Sequence, residues 1–138
     1  MSKRREAGFT LVELMVVLVI IGLAAAAVVM TMPEEGGSLR GEAVRFAARV
    51  KAARDEAILG ARTVAVAVGP GGYRVSRREA GGWRGTADYE WAERTRPEAE
   101  ATLRFDATGL AEPAVVILRR GERAQAVEIL GDGAVHVR

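Results

Sequence analysis

A chain of 138 residues is long enough for one domain with a modest core, and with aromatics at 5% that core must use small and β-branched side chains, which favour strands over a large helical bundle. The formal charge of +2 invites a nucleic-acid reading, but Lys3, Arg4 and Arg5 against Glu6 place that whole excess in the first few residues, so the remainder is neutral. Without cysteine, disulfides and cysteine-based metal sites are excluded, and the fold must be held by its own core or by neighbours in an assembly.

Leu14 to Met32 is a run of nineteen residues without a charge, and about twenty suffice for a helix to cross a bilayer. Glu13 stands at its start, where a carboxylate in hydrocarbon costs on the order of 2.5–3.5 kcal/mol. A cleaved secretory signal would need an apolar core of roughly 7–15 residues; Ala24 to Ala27 could supply its small-residue cleavage site, but the run is too long and Glu13 interrupts it. A plain signal anchor with Glu13 reaching toward the interface is the simpler alternative. Basic residues before the run and Glu34 and Glu35 after it direct the amino terminus to the cytoplasm and the remainder outward.

Pro33 and Gly36-Gly37 mark a kink or break between two helical segments. Ser38 is a suitable N-cap, with Glu42 near the positive end of the new helix. Leu39, Ala43, Phe46, Ala47, Val50, Ala57 and Ile58 form an apolar stripe through about residue 59, where Gly60 supplies a stop. Arg40, Arg45, Arg49, Lys51, Arg54, Asp55 and Glu56 on the other face read as solvated surface.

Beyond Gly60 the period becomes two. Val64, Val66 and Val68, the turn Gly69-Pro70-Gly71-Gly72 and Tyr73-Arg74-Val75 make a hairpin. Residues 79–100 read as a loop with one or two short strands, with Trp83, Tyr89 and Trp91 packing beneath it. Thr102 to Phe105, Ala114 to Leu118, Ala126 to Leu130 and Ala134 to Val137 read as strands separated by glycine-containing turns, so the sheet is antiparallel. The fold class is α+β, with divisions expected at 1–8, 9–32, 33–60 and 61–138.

Catalytic chemistry finds no constellation. His136 is the single histidine and lies on the terminal strand, so it cannot join a metal cluster or triad, and no metal ligands or cofactor site are expected. Gly69 to Gly72 lacks the Lys-Ser/Thr sequel of a phosphate loop. Glu34-Glu35, Asp55-Glu56 and Glu98/Glu100 read as solvated charges, and Arg119 to Arg123 as a charged hairpin tip, with contact to DNA phosphates as the minor reading.

Gly8 followed by Phe9-Thr10-Leu11-Val12-Glu13-Leu14, behind a short basic leader, resembles the class III signal of type IV pilins and type II secretion pseudopilins. The resemblance implies cleavage between Gly8 and Phe9 by prepilin peptidase and methylation of the new amino-terminal Phe9. It also makes Glu13 the fifth mature residue, the assembly glutamate that pairs with a neighbouring subunit's amino terminus. Ala53 to Ile58, the valine strand, Phe105 with Gly109, and Gly133-Ala134-Val135-His136-Val137 look like the H-type minor pseudopilins (GspH) and the related FimT-type minor pilins. That resemblance implies a pilin-like fold, a long N-terminal stalk helix packed on an antiparallel head. It further implies a non-enzymatic subunit anchored in the bacterial inner membrane, with a periplasmic head, whose partners are other pseudopilins through the N-terminal helix. A FimT-type minor pilin of type IV pili, binding DNA in uptake, is the alternative.

Overall fold

The computed structural model describes residues 9–31 and 37–138, with side chains of the first stretch through Ala27. The chain divides into two compact units, Met1–Glu34 and Glu35–Arg138.

The described residues of the first unit form one helix, α1 (Leu11–Thr31). Its residues after Glu13 are uncharged on every side rather than along a stripe, the pattern of a helix meant for an apolar surrounding. Leu14, Met15, Leu18, Val19, Ile20, Ile21 and Leu23 are all exposed. Among the residues whose side chains are described, no helix is long and apolar enough to cross a membrane. The nineteen-residue run extends beyond them, through residues 28–31, where the backbone remains helical, to Met32, which lies outside the described residues together with Pro33 and Gly36 of the expected break.

The second unit begins with α2 (Leu39–Leu59). Ser38 is extended and its hydroxyl accepts the Gly41 N–H, while Gly60 N–H returns to the Glu56 carbonyl, so both ends close as the sequence indicates. Eight strands follow: β1 (Val64–Val68), β2 (Gly72–Glu79), β3 (Gly82–Glu90), β4 (Arg96–Pro97), β5 (Ala101–Phe105), β6 (Ala114–Arg120), β7 (Arg123–Ile129) and β8 (Val135–Val137). They form two four-stranded antiparallel sheets, ordered β3-β2-β1-β5 and β4-β6-β7-β8.

One face of α2 covers both sheets. Phe46, Val50 and Ala57 meet Val64 and Val66 of β1, Leu103 and Phe105 of β5, Val116 and Leu118 of β6 and Val127 and Ile129 of β7 in a single core. Small residues at 43, 47, 53 and 57 let the helix backbone approach the strands, and the β-branched residues behind them fill the pleats. The α+β architecture of the second unit follows from this arrangement.

Three expectations need correction. Ile58 is 40% exposed, because the buried stripe runs 39, 42, 43, 46, 47, 50, 53, 57 and takes in Ala53 and Glu42 instead. Residues 79–100 are not chiefly loop, since nine of them form β3, an edge strand paired along β2. A bulge between Val75 and Ser76 breaks the register, and most β3 residues are exposed, so alternation does not surface in the sequence. Trp83 lies on the solvent side at 44% exposure, with the Arg78 guanidinium 5.6 Å from its ring, and does not pack beneath the sheet as Trp91 and Tyr89 do.

Candidate functional site

The amino-terminal residues singled out by sequence fall at the start of α1. Gly8 lies outside the described residues, and Phe9 precedes the helix at 81% exposure. Thr10 Oγ1 accepts the Glu13 N–H at 3.2 Å and the Thr10 carbonyl accepts the Leu14 N–H, so Thr10 caps the helix and Glu13 is its third residue. Thr-x-x-Glu is the capping-box pattern, a signal legible in the sequence that gives Glu13 a local reason to stand where it does. A carboxylate there also meets the positive end of the helix dipole, and its side chain is open to solvent.

In the head, the joint between α2 and the sheets is held by residues that patterning alone did not identify. Arg54, read as solvated surface, is half-buried: its Nε donates to the Gly109 carbonyl and its Nη2 to the Asp132 carbonyl, each at 3.1 Å. It ties the helix to the turn after β5 and the turn before β8. Gly109 and Gly133 have φ of 83° and 79°, and a Cβ on Gly133 would stand 2.1 Å from the Gly109 carbonyl oxygen. Hydrogen bonds from the Thr108 hydroxyl and backbone N–H, and from Leu110 N–H, hold the Asp106 carboxyl below the usual carboxylate range.

A second joint sits where α2 begins. The Glu42 carboxylate is buried, paired with Arg45 and accepting the Ala92 N–H at 3.3 Å, so it fixes the segment leaving β3. Beside it Phe46, Tyr73 and Trp91 pack edge-on or tilted at 4.8–5.3 Å, Tyr89 stacks on Tyr73, and Arg49 covers Tyr89. Trp91 Nε1 donates to the Gly69 carbonyl, so the glycine-rich stretch is a hairpin turn that receives a tryptophan. Burial pushes the Tyr73 phenol up to about 12, keeping it neutral over the physiological range.

The basic tip is largely engaged. Arg120 Nε and Nη2 donate to Thr95 Oγ1 at 2.9 and 2.7 Å, and its Nη1 reaches the Gly37 carbonyl. Arg119 faces Glu98. His136 is exposed on β8, and among the described residues no group of carboxylates and histidine could hold a metal ion. Asp55 is exposed, and Glu34-Glu35 lie outside the described residues.

Comparison with known families places residues 42–133 in the type II transport protein GspH family. The chain belongs to this family, that of the type II secretion minor pseudopilins. Residues 3–29 match the prokaryotic N-terminal methylation motif. Members of the family are structural pseudopilin subunits, and the elements above are the ones that shape such a head. Among solved structures, the minor pseudopilin EpsH from the type 2 secretion system of Vibrio cholerae is similar with a TM-score of 0.61 at 17% identity, covering 70% of this chain and 92% of that one. The type IV minor pilin FimU of Pseudomonas aeruginosa is similar with a TM-score of 0.58 at 15% identity, covering 72% and 92%. At these identities the two likenesses establish a shared fold. A search of curated protein sequences finds no match.

Proposed function

We propose that the chain is made as a prepilin whose residues 1–8 are removed by prepilin peptidase between Gly8 and Phe9, with methylation of Phe9. The mature protein, 9–138, is held in the inner membrane by its 9–32 segment, amino terminus cytoplasmic, and then joins other pseudopilins in a periplasmic pseudopilus that helps drive protein export. It carries out no catalysis of its own. The segment 33–60 is hinge and amphipathic helix, and 61–138 is the β head that meets neighbouring subunits.

The observation that carries this reading is the pairing of a GspH-family head with a helix that exposes apolar side chains on all sides behind a single glutamate. Such a surface has no stable existence in water and calls for lipid or for the helices of other subunits. Glu13 then supplies a charge that a neighbour's methylated amino terminus can neutralise, and an unpaired carboxylate in that surrounding would be strongly unfavourable. The type IV pilus reading rested on the short head and the basic turn, and Arg120 of that turn is occupied within the head.

Substituting Gly8→Val should leave the full-length precursor uncut when the chain is co-expressed with prepilin peptidase, as judged by intact mass. A mature species beginning at Phe9 in that variant would overturn the leader assignment.

A further inference from the structure

Two features at the β4–β6 edge run against what the fold alone would select. Arg94 has a φ of 62°, left-handed backbone that glycine adopts at lower cost, in the turn closed by Thr95 N–H on the Ala92 carbonyl. Arg96 stands directly opposite Arg119, where like charges repel. Strained backbone and opposed like charges persist where something offsets them.

Both features border one open cleft of about 470 Å³, lined by Arg94, Arg96, Pro97, Glu98, Arg119 and Gly121. Its frame is fixed: Thr95 is buried under two hydrogen bonds from Arg120, and Glu98 N–H donates to the Ile117 carbonyl at 2.8 Å. Glu98 touches Arg119 through two long contacts of 3.4 Å. The Arg94 and Arg96 guanidiniums have no ion pair or hydrogen bond among the described residues.

We propose that this cleft binds acidic side chains of a partner polypeptide. The guanidinium fork matches a carboxylate in two parallel hydrogen bonds, and three forks around one cleft would relieve the Arg96–Arg119 repulsion when carboxylates enter. Glu98 is an internal stand-in for that ligand, already accepting from Arg119. A nucleic acid fits less well. Glu98 stands among the arginines of the cleft, and Glu93 and Glu122 adjoin its lining residues in sequence, whereas a phosphate backbone favours a continuous track of cations. The proposal does not depend on cleavage or filament assembly, and its test uses neither, so it can fail while the pseudopilin reading stands.

The test uses the full chain in detergent micelles and a fluorescein-labelled decapeptide of alternating Glu and Gly, followed by anisotropy at about 20 mM salt, where exposed charges are weakly screened. The wild-type chain should bind saturably, and Arg96→Gln should weaken binding roughly tenfold. Glu98→Gln should tighten it, because the internal competitor is gone. Arg94→Gly should weaken binding yet raise the melting temperature, since the strain is relieved. Arg104→Gln, on the other sheet, should leave binding unchanged. Absence of saturable binding, equal affinity in the Arg96→Gln chain, or tighter binding of a single-stranded oligonucleotide through the same arginines would each overturn the proposal.

Discussion

Gly109 and Gly133 show how much of the head's closure rests on single atoms. Both occupy left-handed backbone, and at Gly133 a methyl group would press on a carbonyl and on Arg54 at once. Gly121 provides the contrast, with a φ of 60° but nothing within 4 Å of a built Cβ. Gly121→Ala should therefore cost about 1 kcal/mol, the ordinary left-handed penalty, whereas Gly133→Ala should cost about 3 kcal/mol or more as strain and clash combine. Thermal melts of the two variants should separate them clearly, and equal losses would mean that the turn before β8 relaxes around the added methyl group at no cost. These glycines were visible in the sequence as turn residues, but their partner was not. Arg54 reads as surface because charge and helical position point outward, and only the chain's return at residues 109 and 132 reveals its acceptors.

At the scale of elements, α2 was legible because its signals agree: a serine cap, a three-and-four spacing and a terminal glycine. The β1–β2 hairpin and β6, β7 and β8 of the second sheet were legible because short β-branched runs stand between glycine-containing turns, whereas the two-residue β4 was not. The β3 strand was hidden, because an edge strand with charged and glycine residues on both faces carries no period for the eye to find. Glu42 escaped for a different reason. A buried carboxylate inside an apolar stripe is recognised only when its partners, Arg45 and the Ala92 N–H, are seen in the fold. Phe46 is where α2 meets both the β1 sheet and the segment after β3, fully buried against Tyr73 and Trp91. Phe46→Ala should destabilise the head by about 3–5 kcal/mol, through lost burial and the cavity left behind, read as a lower melting temperature and a red-shifted tryptophan emission.

At the scale of the whole molecule, the place of Glu13 at the helix start and its proposed charge pairing can be separated by a single substitution. As the third residue of α1 it suits the helix start, and as a charge it is the proposed partner of a neighbouring subunit. Glutamine keeps the capping pattern and removes the charge. Glu13→Gln should thus leave helix content and membrane fractionation near wild type while reducing cross-linked pseudopilus assemblies at least about tenfold; normal assembly by that variant would confine Glu13 to helix capping. The apolar helix and the basic excess of the first few residues were readable as composition, whereas the capping of the Glu13 N–H by Thr10 is seen only in the fold.

The Arg54 bridge also has a consequence for the order in which the head can form. Its acceptors lie 55 and 78 residues downstream, and the last strand, β8, covers the same helix and pairs with β7 through residues Val135–Val137. A chain emerging amino end first therefore cannot complete the cover over the apolar face of α2 until residues 132–135 have followed it. Until then that face stays partly open, and it must be shielded from the α2 face of any other unfinished chain.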